Sequence, residues 1–254
     1  MDFDGAQVTN SIHISDPAFQ IRSQLTLPDD EVHLWSIDLA AVASGEQRWQ
    51  EVLSADERTR AARFRFARDR QYFTATRALL RTILAGYLAS EPNELVLRYS
   101  EKDKPSLSTA GPGDRIEFNV SHSGGRALLA VTRGRELGVD VEAIRADFDH
   151  EAIAQRFFSI NERTQLSTLD ISERCLAFFR CWTRKEAYIK ATGTGLSLPL
   201  HQFDVSLRPG DQNALLATRP DDAEAGRWSL REVPAGEGYL AALCVRGHDW
   251  RLRS

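Results

Sequence analysis

Three acidic residues carry the first chemical signal in this chain. In GVDVE, Val139 and Val141 alternate with Asp140 and Glu142, so on a β-strand the valines share one face and the carboxylates the other. Further along, CWTRKEAYIKATGTGL reads as a helix that stops at Gly193 and Gly195, since glycine most readily takes the left-handed conformation past a helix end. On that helix Trp182, Glu186 and Lys190 stand four apart and share a face. Each segment has a plain alternative. Adjacent strand acids are commonly just solvated, and Glu186 with Lys190 is also an i,i+4 pair that supports an exposed helix by about 0.2–0.5 kcal/mol. Together they supply three carboxylates with no convergent His or Cys cluster. That donor set suits a hard cation with oxygen ligands. Mg²⁺ fits best, because it takes one or a few carboxylates and completes its octahedron with water and substrate phosphates. Zinc chemistry is disfavoured.

Two further groups suit an anion. FNVSHSGG places Ser121, His122 and Ser123 just before two glycines, where hydroxyls, an imidazole and open backbone N–H groups make a reasonable phosphate cradle. A turn histidine satisfied by backbone is the alternative, and no aspartate or GxSxG context supports a Ser-His-Asp hydrolase. Arg58, Arg60, Arg63, Arg65, Arg68, Arg70, Arg77 and Arg81 crowd one stretch. Most read as a solvated helix face, while some fit phosphate or an acidic protein through the planar guanidinium fork.

The elements that must position these groups come in two related sets. LSADERTR (53–60) returns as FSINERTQ (158–165), with Ser54, Glu57, Arg58 and Thr59 matching Ser159, Glu162, Arg163 and Thr164 at a constant offset of 105. Ser-x-x-Glu is also a helix capping box, but the shared order of strand, capped helix and second helix favours duplication. An alternating segment with an aspartate precedes each copy, WSIDL at Asp38 and GVDVE at Asp140. Where the second copy has Glu142, Glu186 and Lys190, the first has Ala40, Leu79 and Ile83. The acids therefore concentrate in one copy, as expected of one specialised site per chain.

EVHLWSIDL and ALLAVT alternate as strands, and Phe73, Leu79, Leu80, Ile83 and Leu84 follow helical spacing. Gly, Pro, Ser and Asp mark 108–114 and 208–212 as turns or loops. The expected architecture is α+β, with two pseudo-repeat halves, 1–136 and 137–254. Each would pack helix on a small, mostly antiparallel sheet, with a pseudo-twofold between them and the site in the cleft.

Composition narrows the function classes. A formal net charge of −4 over 254 residues argues against nucleic-acid binding driven by overall charge. Cys175, Cys181 and Cys244 form no CxxC pair, which reads as reduced thiols and no structural zinc. The N-terminal MDFDGAQVTN lacks the basic start and apolar stretch of a signal peptide, and no apolar run reaches the roughly 20 residues of a membrane span. A soluble, cytoplasmic protein is expected.

FNVSHSGG, GVDVE, RFFSINE and CWTRKEAYIKATGTGLSLPL, supported by LSADERTRAARFRFARDR and KDKPSL, resemble the 4'-phosphopantetheinyl transferase superfamily, in its large pseudodimeric Sfp-type branch. The resemblance runs from about residue 31 to 207 and is most specific in GVDVE followed by WTRKEAYIKATGTGL. It implies Mg²⁺-dependent transfer of 4'-phosphopantetheine from coenzyme A to a serine of an apo acyl, polyketide or peptidyl carrier protein, releasing 3',5'-ADP. It also implies a monomer whose halves imitate a dimer. Asp140 and Glu142 match the family's paired metal acids. Glu186 matches the third, a ligand and the favoured general base, and Lys190 the lysine that contacts the coenzyme A phosphates. Ser121 and His122 match the phosphate-binding serine and histidine, Arg60 a basic contact near the nucleotide, and Lys104 the lysine of a Gly-Lys-Pro element. Asp103 stands where that element has its glycine. The rival readings are a metal-free coenzyme A acyltransferase with His122 as base, and a non-catalytic carrier-binding module.

Overall fold

The structure, a computed structural model, describes residues 12–16, 18–21, 24–100, 104–107, 115–147 and 149–254. Asp103 and the expected loop at 108–114 lie outside the described residues. The first stretch runs β1 (Ile12–Ile14), β2 (Glu31–Asp38), α1 (Leu39–Val42), α2 (Glu46–Val52), α3 (Ala55–Ala61) and α4 (Ala67–Leu88). It continues through β3 (Leu97–Tyr99), β4 (Pro105–Leu107), β5 (Ile116–Ser123) and β6 (Arg126–Arg133). Then come β7 (Leu137–Ala143), α5 (His150–Phe157), α6 (Ile160–Thr168) and α7 (Ile171–Thr192). The chain ends with β8 (Phe203–Val205), β9 (Leu215–Thr218), β10 (Trp228–Glu232), β11 (Tyr239–Arg246) and β12 (Arg251–Arg253). The architecture is α+β. One larger sheet is ordered β1-β2-β6-β5, with β12 also on β2, and the other β10-β11-β7.

The two stretches share more than a motif. In the first sheet β2 pairs antiparallel with β6 and β6 with β5; in the second β7 pairs with β11 and β11 with β10. Helices α3 and α6 each open with a complete capping box, Ser54 with Glu57 and Ser159 with Glu162, and each is followed by a 22-residue helix. Both glutamates then reach onto that long helix. Glu57 binds Arg77 at 2.7 Å and Arg81 at 2.6 Å, and Glu162 binds Lys185 at 2.8 Å. Arg77 and Arg81 are buried, while Arg58, Arg60, Arg63, Arg65 and Arg68 are exposed, so most of the arginine run stays solvated and these two go inside. The capping box fixes the glutamate against the next helix, so a cation there is drawn inside.

Three apolar clusters hold the layers. Leu79, Leu80, Ile83 and Leu84 of α4 pack on Trp35, Ile37, Leu129 and Val131 of the first sheet. Phe178, Phe179 and Ile189 of α7 share a second cluster with Trp228, Leu230 and Cys244. The third joins the sheets, bringing Val32, Leu34, Leu128 and Ala130 against Val139, Val141, Leu243 and Val245. The layering is helix, sheet, sheet, helix, and each buried Leu or Val contributes about 1.5–3 kcal/mol. The residues beyond Arg208, which had no sequence reading, supply β11 to the middle of the second sheet. They also supply β12, which crosses to pair parallel with β2. Among the described residues no helix is long and apolar enough to cross a membrane.

Candidate active site

Gly138 sets the distance between β7 and α7. A Cβ there would lie 2.2 Å from the Ala187 carbonyl oxygen and 2.3 Å from the Ala191 nitrogen, so strand and helix touch backbone to backbone, an approach that only glycine permits. Val139 and Val141 turn into the core between the sheets, leaving Asp140 and Glu142 for the face toward α7. From the helix, Lys190 Nζ donates to Asp140 Oδ1 at 2.6 Å and to Ser121 Oγ at 3.0 Å. Its ion-pair partner is thus across the strand, where sequence spacing had suggested Glu186. Ser121 donates to Asp140 Oδ1 at 2.9 Å and Ser123 to Glu142 Oε2 at 2.7 Å.

Negative charge is in excess here. Burial first, and then Asp140 and Glu142, push the Glu186 carboxyl up to about 7 against the opposing pull of Lys190. Glu142 is also raised, by burial and then by Asp140, with Ser123, Lys190 and Trp182 opposing. Asp140 is 3% exposed, and its Oδ2 has no hydrogen-bond partner. Among the described residues no set of three His, Cys, Asp or Glu side chains is already gathered as a formed metal centre. Among the described residues, the ammonium of Lys190, paired with Asp140, is the one cation ion-paired with these acids.

The other expected site residues fall around this cluster. His122 is exposed, and its surroundings, then Lys190, disfavour the imidazolium. Gly124 and Gly125 form the two-residue turn of the β5–β6 hairpin, and the Gly125 N–H donates to the Tyr239 hydroxyl. That N–H is committed to Tyr239, where the sequence suggested an open phosphate cradle. Lys104 Nζ donates to the carbonyls of Leu137, Lys190 and Ala191, and burial lowers its pKa. It caps the C-terminal turn of α7 beside Lys190. Arg60 lines a cavity of about 740 Å³ with Arg63, Phe64, Phe73 and Tyr99, and its guanidinium lies over the Phe73 ring, 5.6 Å from the centroid. None of the three acids is in that lining. Sequence reading did not single out Phe73 or Tyr99 for this cavity, because single aromatics carry no signal of their own.

Comparison with known proteins identifies the family. The sequence profile of the 4'-phosphopantetheinyl transferase superfamily matches residues 136–244, and that of the "4'-phosphopantetheinyl transferase, N-terminal" family matches 44–133. The 4'-phosphopantetheinyl transferase HetI of Nostoc sp. is 41% identical over 227 residues, covering 89% of this chain and 92% of the relative. This chain belongs to the 4'-phosphopantetheinyl transferase superfamily. The 4'-phosphopantetheinyl transferase Sfp of Bacillus subtilis is 28% identical, over 80% of this chain and 87% of its own. A human relative, L-aminoadipate-semialdehyde dehydrogenase-phosphopantetheinyl transferase, is also 28% identical, over 78% and 68%. The chain is therefore an enzyme, a phosphopantetheinyl transferase of the Sfp-type branch that moves the phosphopantetheine arm of coenzyme A to a carrier protein.

Proposed function

We propose that the transfer takes place at Asp140, Glu142, Glu186 and Lys190, in a cleft between halves 1–136 and 137–254 related by a pseudo-twofold. The single observation that carries this reading is the buried, unpartnered Asp140 Oδ2 beside two carboxyls, Glu142 and Glu186, pushed upward by burial and then by Asp140. Such a centre is costly unless a cation joins it. An all-oxygen donor set with one oxygen vacant fits Mg²⁺, held by Asp140, Glu142 and Glu186. Bound there, the ion would neutralise diphosphate charge and stabilise the leaving group.

The chain's own residues do the rest. A carrier serine oxygen attacks the β-phosphorus of coenzyme A, forming the new P–O bond as the bond to 3',5'-ADP breaks. Glu186 takes the serine proton, directly or through a water. Lys190 and Ser121, already hydrogen-bonded to each other, face the diphosphate, with His122 at the rim. Lys104 holds the carbonyl end of α7 and so steadies Lys190. Arg60 and Arg63, with Phe73 and Tyr99, offer cation and ring faces to the nucleotide of coenzyme A. The enzyme works as a monomer in the cytoplasm on apo acyl, polyketide or peptidyl carriers.

The test is to mix the chain with coenzyme A, Mg²⁺ and a panel of apo carrier domains and weigh the products. A mass gain of one phosphopantetheine on a carrier, lost with EDTA, is expected. Full transfer in EDTA would overturn the metal assignment.

A further inference from the structure

Strands β5 and β7 lie side by side but share no backbone ladder. β7 pairs with β11 along one edge, and the N–H groups on its other edge donate to side chains of β5. Val139 N–H reaches Asn119 Oδ1 at 2.9 Å, Val141 N–H reaches Ser121 Oγ at 3.4 Å, and Ala143 N–H reaches Ser123 Oγ at 3.1 Å. Alternate residues of one strand thus meet alternate residues of the other, at a constant offset of 20. Each serine also spends its hydroxyl proton on an acid of β7, Ser121 on Asp140 and Ser123 on Glu142. A hydroxyl has one proton to donate, so both rotors are fixed. A backbone ladder would have joined the edges and left the carboxylates free to turn. Here the atoms that join the sheets also aim the acids.

We propose that Asn119, Ser121 and Ser123 form a side-chain seam between the two sheets, and that Ser123 is a positioning residue that holds Glu142 toward a divalent ion. This rests on the divalent-ion reading above. Partners that orient a metal ligand are typically worth 10–100-fold in affinity.

Ser123→Thr and Ser123→Val test it, since they share a shape and differ in the hydroxyl. Mg²⁺ binding to the full chain is measured by calorimetry without coenzyme A, alongside the Mg²⁺ KM and kcat. Ser123→Val is expected to weaken Mg²⁺ binding about tenfold and to raise the Mg²⁺ KM to match, with kcat recovered at saturating metal. Ser123→Thr should restore the parent affinity. Equal Mg²⁺ affinity in the two variants would overturn the role of Ser123, as would a Val variant that only melts earlier. Should Ser123→Val fail to fold, Ser123→Ala is read against Ser123→Thr in the same way. Asn119→Ala, on the rung that carries no acid, should lower the Tm and leave Mg²⁺ affinity unchanged. A loss as large as that of Ser123→Val would count against a specific hold on Glu142. Absence of Mg²⁺ binding by the parent chain would instead sink the divalent-ion reading itself.

Discussion

At Glu57 one buried carboxylate faces two guanidiniums, Arg77 and Arg81, whereas at β7 and α7 the three carboxylates have, among the described residues, one ammonium beside them, that of Lys190, paired with Asp140. Burial pushes the acid upward in both places. At Glu57 the two arginines and the Ser54 N–H outweigh it, and the carboxyl ends below its ordinary value. At Glu186 burial is joined by Asp140 and Glu142, and the carboxyl ends at about 7. The sign is decided by how many cations accompany the acid rather than by depth. Glu162 belongs with Glu57. It is fully buried, paired with Lys185, and accepts the N–H groups of Ser159 and Val205. Compensated acids of this kind fix a helix in place, while the uncompensated group is the one to which we assign the divalent ion.

The largest expected effect separates the two regions by function. Glu186→Ala should cut transfer about 10²–10⁴-fold, read as carrier mass gain against time, while the protein still folds. A Glu186→Ala enzyme with near-parent turnover would erase the distinction.

Next in size is stability. Glu162→Gln strips the charge that pairs with buried Lys185, and losing one partner of a buried pair costs about 3–5 kcal/mol. At about 2–4 °C per kcal/mol for a chain of this length, the melting temperature should drop clearly. Glu142→Gln should instead raise the melting temperature of the metal-free chain, because it removes a repulsive charge. Melts of both variants in EDTA decide the matter, and a stabilised Glu162→Gln would reverse the comparison.

A smaller effect is expected in pH dependence. Because Glu186 is raised in the fold, its contribution is complete below the ordinary carboxylate range and is lost as pH rises through about 7. The metal-free chain should therefore lose stability over that window, and Glu186→Gln should flatten the slope. Glu57 is lowered, so its contribution holds above the ordinary carboxylate range and is lost as pH falls through its folded value. Melts in EDTA across both windows would show opposite slopes.

The smallest effect concerns the rim. On the proposed reading His122→Ala would remove one contact to phosphate, worth about 1 kcal/mol or roughly fivefold in affinity. It should raise the coenzyme A KM and leave kcat near the parent value. A large fall in kcat would move His122 into the chemistry.

Much of the candidate site's local geometry was legible because its rules are local. Alternation put Asp140 and Glu142 on one face of β7, and four-residue spacing put Trp182, Glu186 and Lys190 on one face of α7. The helix also stops at Gly193, with φ 68°, as its sequence announced. Gly138 was an available clue that went unread, since a glycine within a strand often marks a close backbone approach.

The sequence by itself determined the capped starts of α3 and α6, the faces that β7 and α7 present, and that the acids gather in one of two related stretches. Those properties depend on caps and periodicities spanning only a few residues. Tertiary structure alone decided that Lys190 pairs with Asp140, that Arg77 and Arg81 go inside, and that Asn119, Ser121 and Ser123 bridge to β7. It also decided that β11 enters between β10 and β7 and that β12 crosses to β2. Each depends on which distant elements pack together, and partner and register are fixed by burial of matching apolar faces rather than by neighbours in the chain.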